Sequence, residues 1–172
     1  MTGERQALAP GSTQLYCCVM IPEFVTTPGA DFPVLPPGVH FAALSEVETR
    51  FAITDHRRWL FEGIAEVASA LKKAGCAAMY LDGSYVTAKP HPKDFDGCWD
   101  PTGVEAKKLD PVLLDFSNGR AAQKRRFRGE MFISSQMNGL DGTFFDFLQT
   151  EKQTGQRKGI VGIRLFDAVE LN

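Results

Sequence analysis

The stretch Leu81-Asp82-Gly83-Ser84, followed by Lys93-Asp94-Phe95-Asp96, decides how this chain is read; its first aspartate stands ten positions after the serine. The apolar run before it, Ala77-Ala78-Met79-Tyr80-Leu81, reads as a short buried strand. Phe95, Cys98 and Trp99, around the acidic pair, mark a second strand. Residues two apart on a strand point to one face, so Asp94 and Asp96 present two carboxylates side by side. Such a pair repels itself unless a cation sits between the two charges. Hard divalent cations are held by one or two carboxylates together with substrate phosphates. Gly83 lets the backbone approach a ligand closely, and Ser84 offers a hydroxyl and an N–H to a phosphate oxygen. These parts suit a nucleoside triphosphate with its metal.

Upstream, the clearest helix is predicted from about His56 to Lys73, with Asp55 as N-cap and Gly75 as stop. Leu60, Ile64, Val67 and Leu71 form its apolar stripe. Ser45-Glu46-Val47-Glu48 has the spacing of a capping box, predicting a short helix through Phe51 with Leu44, Val47 and Phe51 on one side. Residues 22–38 carry Pro22, Pro28, Pro33, Pro36 and Pro37 and read as irregular and extended, while Leu15 to Ile21 is an apolar strand candidate. Residues 1–13 are small and polar, and are predicted to be a flexible tail before a single domain over 14–172.

Downstream, Pro90 and Pro92 limit any helix after Ser84 to about one turn. Asp110-Pro111 marks a helix start or turn, with Val112, Leu113, Leu114 and Phe116 as core candidates and Asn118-Gly119 as a turn. Gly129 to Ile133 reads as a strand. Thr143 to Gln149, with Phe144, Phe145, Phe147 and Leu148, reads as a helix either buried all round or packed against a partner. Ile160 to Leu165 reads as a last strand. This order predicts an α+β domain with a mixed β-sheet flanked by helices.

The chain has 172 residues, 44% of them apolar and 23% charged, as expected of one globular domain. A net charge of −2 gives no global electrostatic case for nucleic acid, and there is no strong DNA-binding signal. Cys17, Cys18, Cys76 and Cys98 match no zinc spacing and read as reduced core cysteines. No apolar stretch approaches the roughly 20 residues of a membrane span, and the first residues lack the form of a signal peptide. A cytoplasmic protein with no membrane partner is the expectation.

The pattern resembles the nucleotidyltransferase superfamily with the DNA polymerase β-type catalytic core. In that superfamily a strand ends in Gly-Ser, a short helix follows, and the next strand carries Asp-x-Asp, with a third carboxylate on a later neighbouring strand. Gly83-Ser84 match the first element, Asp94 and Asp96 the second, and Pro92 the proline common before the acidic pair. The wider run Leu35-Pro36-Pro37-Gly38, Glu48, Phe51 and Leu81 to Thr87 is similar to a small bacterial and phage family of nucleotidyltransferase-like proteins, over about residues 33–135 and more weakly at Lys158 to Val161. The resemblance implies that Asp94, Asp96 and Glu130 hold magnesium or manganese and carry catalysis. It implies that Gly83, Ser84, Lys89 and Lys93 bind the nucleoside triphosphate. Asp110 and Asp115 are alternatives to Glu130 as third carboxylate. Lys89 and Pro90 stand where the superfamily commonly has a glycine, and the gap from Ser84 to Asp94 is about one residue short.

The expected activity is transfer of a nucleoside monophosphate to a protein or RNA hydroxyl, in a toxin–antitoxin or defence setting. The alternative is an inactive module of the same fold that neutralises a partner protein, toxin or antitoxin. A third is a structural protein with no ligand. Lys124-Arg125-Arg126-Phe127-Arg128 reads as a solvated face placed to meet triphosphate, RNA or an acidic partner. His56 reads as a solvated first-turn residue, Trp59 and Phe61 as core, and Asp82 as a turn residue.

Overall fold

The computed structural model describes residues 21–139 and 142–166. Their architecture is α+β. Five strands, β1 (Gly38–Ala42), β2 (Ala78–Asp82), β3 (Phe95–Trp99), β4 (Gly129–Ile133) and β5 (Gly159–Arg164), form one mixed sheet in the order β1-β5-β2-β3-β4. β1 with β5 and β3 with β4 are parallel, whereas β2 is antiparallel to both of its neighbours. The helices are α1 (Leu44–Phe51), α2 (Asp55–Lys73), α3 (Ala121–Phe127) and α4 (Phe144–Leu148). Among the described residues no helix is long and apolar enough to cross a membrane.

α2 is the strongest element because stripe and caps agree. Leu60, Ile64, Val67 and Leu71 are all fully buried. The N-cap is Thr54 rather than Asp55: its hydroxyl accepts the Arg57 N–H at 3.2 Å, leaving Asp55 in the first turn where its charge favours the helix dipole. Gly75, at φ +86°, lets the chain leave the helix. α1 also starts earlier than the Ser45–Glu48 spacing predicts. The Glu46 carboxylate reaches back to the Ala43 N–H at 3.2 Å, so Ser45 lies inside the helix.

The helix-facing side of the sheet contributes Met79, Leu81, Phe95, Met131, Val161 and Ile163 to the main core beneath α1 and α2. The opposite side contributes Tyr80, Cys98, Phe132 and Ile160, covered by Phe145 and Leu148 of α4. α4 is therefore not buried all round. Its Phe144 stacks on Phe132 at 4.2 Å and Phe145 meets Tyr80 edge-on at 4.9 Å, while Phe147 is 44% exposed. β5 is flanked on both sides, so both of its faces are buried except at Arg164.

Other expectations need correction. β1 is an additional strand directly after the proline-rich segment; as an edge strand with no fully buried residue it carries weak alternation and exists through its pairing with β5. α3 is likewise an additional helix. Leu113 alone of the 112–116 candidates is fully buried, and Leu114 and Phe116 are exposed, because Pro111–Leu114 is a single 3₁₀ turn with one inward position. Trp59 is 47% exposed, on the outer side of α2. Cys76 and Cys98 are free and buried, as expected. The predicted tail, the strand residues Leu15 to Met20, and Cys17 and Cys18 lie outside the described residues.

α2 and α3 touch where Gly63 faces the Phe127 carbonyl, and a β-carbon there would overlap that oxygen and press on the Phe95 ring. Helix propensity alone favours Gly→Ala by about 0.5–1 kcal/mol. The lost space outweighs it: Gly63→Ala is expected to destabilise the fold by about 1–3 kcal/mol in urea denaturation, whereas a stabilised variant would show that α3 yields freely.

Candidate functional site

β2 ends at Asp82, and Gly83 turns the chain at φ +74°, a conformation open to glycine. The absence of a side chain is needed twice over, since a β-carbon would run into the Asp96 carboxylate. Ser84 to Val86 form one 3₁₀ turn, which ends before Pro90 and Pro92. The loop beyond is held from α2 by Arg57, which is only 4% exposed. Its Nη1 donates to the Tyr85 carbonyl at 2.8 Å and the Phe51 carbonyl at 3.3 Å. Its Nη2 donates to the Thr87 carbonyl at 3.1 Å and the Lys89 carbonyl at 2.7 Å. One guanidinium thus satisfies four carbonyls of an otherwise irregular loop. His56, next to it, is half-buried rather than solvated, with Nε2 bonded to the Pro92 carbonyl at 2.6 Å and its ring stacked on Trp59.

The strand register builds the acidic centre. Asp82 is paired with Asp96 across β2 and β3, and Asp96 with Glu130 across β3 and β4. Directly paired residues share a face, so three carboxylates form a row across three strands at one end of the sheet. Their surroundings differ. Asp82 is buried and ion-paired with Lys158, just before β5. Burial pushes its carboxyl up, opposed by Lys158 and by the Gly83 N–H. Glu130 lies near two cations, Lys124 Nζ at 3.4 Å and Arg120 Nη1 at 3.8 Å. Asp96, in the middle, has no basic partner among the described residues. Burial first, then the charges of Asp94, Asp82 and Glu130, push its carboxyl up to about 7, and a hydrogen bond with Glu130 adds to the rise.

Asp94 stands beside this row but outside the sheet. β3 begins at Phe95, because the partner strand β2 has by then turned away at Gly83; the expectation that both aspartates lie on the strand is corrected to Asp96 alone. Asp94 still lies close enough to raise Asp96. Asp96, Glu130, Gly83 and the adjoining Ser84 are thus brought together. Of the alternatives to Glu130, Asp110 caps the 3₁₀ turn and pairs with Arg126 at 2.6 Å, and Asp115 binds Ser117, so neither joins the row.

The lysines diverge from expectation. Lys89 is held by its backbone and its ammonium lies 6.0 Å over the Phe32 ring, while Lys93 is exposed. Most of the basic run serves packing: Arg126 pairs with Glu66 and Arg128 with Glu62, tying α3 to α2, and Lys124 alone of the run faces the acidic row. Sequence reasoning missed Asp82 as a member of the row, Lys158 as its counter-ion, and Arg57 and Arg120. Arg57 follows a helix cap and looks like any first-turn surface residue.

Among the described residues no three His, Cys, Asp or Glu side chains already enclose a metal position. Magnesium, however, needs only one or two protein carboxylates beside phosphate and water. The donor set of Asp94 and Asp96 with Glu130 alongside is all oxygen, and the charges of Asp94, Asp82 and Glu130 converge on Asp96, so the set fits a hard divalent cation in place of the Asp96 proton.

A family model described as a family of unknown function (DUF6932) matches residues 28–164, a span that includes every strand and helix of the fold. The chain belongs to DUF6932. No curated protein and no solved structure matches it.

Two outcomes follow for this DUF6932 protein. The folded chain keeps a proton on Asp96 between about pH 3.8 and about pH 7, where the unfolded chain has released it. Folding therefore takes up a proton, and stability in metal-free buffer falls as pH rises through that window. Asp96→Asn is expected to remove this slope, gaining up to about 4 kcal/mol relative to the native chain between the two ends of the window; parallel urea-denaturation curves would contradict the assignment. Arg57→Ala leaves four carbonyls without their donor and is expected to cost about 2–4 kcal/mol, with hydrogen exchange rising first in residues 85–89.

Proposed function

We propose that this DUF6932 protein is a magnesium-dependent nucleotidyltransferase, which moves a nucleoside monophosphate from a nucleoside triphosphate to a hydroxyl of a protein or RNA. The observation that carries it is the in-register placement of Asp96 between Asp82 and Glu130, pressed against Gly83 and flanked by Asp94. A fold under no functional demand has no reason to gather three carboxylates around a fourth that lacks a cation, since each neighbour raises the cost of its charge.

In the proposed chemistry the acceptor oxygen attacks the α-phosphorus, the bond from that phosphorus to the bridging oxygen breaks, and pyrophosphate leaves. The hydroxyl proton passes to Glu130 or, through water, to solvent. Asp94 and Asp96, with Glu130, would hold the magnesium or manganese ion, which supplies charge neutralisation at the attacking and leaving oxygens when bound. Gly83 and Ser84 admit and bind the phosphates. Most of the rate advantage then comes from positioning and electrostatics. Nucleoside triphosphates and such acceptors belong to the cytoplasm, where the protein is accordingly placed, in a toxin–antitoxin or defence context.

One observation favours the second reading, an inactive antitoxin-type module that binds a partner protein. Glu130 is already flanked by Arg120 and Lys124, and Asp96 is shifted toward its neutral form and hydrogen-bonded to Glu130, so the row can satisfy itself without a cation. Labelled nucleoside triphosphates, magnesium and cell lysate separate the two. Transfer of label by the native protein, reduced on the order of 100-fold or more in Asp94→Ala/Asp96→Ala, supports the transferase. Absence of both transfer and magnesium–nucleotide binding excludes it and leaves the binding module.

A further inference from the structure

We propose that Arg120 is the principal phosphate-binding side chain of this site, gripping the polyphosphate of the nucleotide; the identity of the ligand rests on the nucleotidyltransferase reading above. Arg120 belongs to no motif and is not part of the basic run that follows it. The chain reaches it through Asn118 at φ +47° and Gly119 at φ +62°, and Arg120 itself sits at φ +59°. A β-carbon disfavours that conformation, so the surrounding structure must hold it there. The result is a guanidinium 3.9 Å over the Phe132 ring, with the Phe116 ring at 5.3 Å and the Phe144 ring at 5.9 Å. Three rings from three elements fix its plane.

The polar side of this guanidinium is under-used. Its Nε is buried and has no hydrogen-bond partner. Its Nη1 stands 3.8 Å from Glu130, well beyond the 2.7–2.9 Å of a charge-assisted hydrogen bond. Burying a donor without a partner is unfavourable, and a planar fork held beside an acidic row matches the oxygens of a phosphate in two-point fashion. A polyphosphate bound at the carboxylates lies within the reach of Arg120, because Arg120 already neighbours Glu130. Neither Lys89, spread over Phe32, nor exposed Lys93 is fixed in this way. Lys124, beside Glu130 on the same side, adds charge without a fixed direction.

The alternative is that Arg120 only rivets Phe116, Phe132 and Phe144 together. Inorganic tripolyphosphate with magnesium, titrated calorimetrically into the full chain, tells the two apart. Arg120→Gln is expected to weaken binding about tenfold or more. Arg120→Lys, which keeps the charge over the rings but loses the fork, should fall between Arg120→Gln and the native chain. Lys107→Gln, the same charge change at a distant exposed site, controls for net charge. Native-like tripolyphosphate binding by Arg120→Gln or by Arg120→Lys overturns the proposal, and so does failure of the native chain to bind. Should Arg120→Gln lose its native circular dichroism, Arg120→Lys alone decides. Tripolyphosphate binding that depends on Arg120, with no label transfer by the native chain, sinks the transferase reading and leaves the phosphate site standing.

Discussion

The pairing of β2, β3 and β4 in one register is the constraint on which the rest of this molecule depends. It aligns Asp82, Asp96 and Glu130. A slip of one residue would send Asp96 to the other face, into the space now filled by Phe95 and α2. The register is held from both sides. Gly97 has no β-carbon to collide with the Tyr80 carbonyl and the Met131 sulfur. Gln123 on α3 donates to the Leu113 carbonyl and accepts the Met131 N–H at 2.9 Å, securing the outer edge of β4. Packing forces thus maintain a charge arrangement that electrostatics alone would scatter.

The row is graded rather than uniform. At one end Lys158 neutralises Asp82 inside the protein; at the other, Arg120 and Lys124 stand off Glu130. The middle carboxylate has only like charges and a hydrogen bond with Glu130 around it, which push it toward its neutral form. Arg57 supports this from beneath: by tying the loop after Ser84 to α2, it fixes the backbone that Gly83 presses against Asp96. Cations flank the ends and the loop, which leaves the centre as the place where an added positive charge is most favourable.

Much of the fold was legible in the chain because local signals agreed. The α2 stripe, the Gly75 stop, the Gly83 turn and the strands at 78–82, 95–99, 129–133 and 159–164 each have a periodic pattern or a punctuating residue. β1 and α3 were not legible: the first depends on pairing with β5, and the second lies between positive-φ residues whose conformation no propensity predicts. The spacing of Gly83-Ser84 and Asp96, and the strand predicted at Glu130, pointed to residues that the sheet brings close together. Lys89 and Lys93 are close to the acidic residues along the chain, but Arg57 draws the loop backbone toward α2, and the Lys89 ammonium lies over Phe32.

The amino-acid sequence by itself determined the α+β class, the turn at Gly83-Ser84 and a strand beginning around Phe95 and Asp96, since these follow from periodicity and from glycine and proline geometry. Only the tertiary structure decided that Asp82 completes the row, that Asp94 stands outside the sheet, and that Lys158, Arg57 and Arg120 surround it. Arg57 reaches the Tyr85 carbonyl across 28 positions and Lys158 reaches Asp82 across 76. Coulomb and hydrogen-bond energies depend on distance through space, and no local pattern in a chain encodes which distant residues strand pairing will bring together.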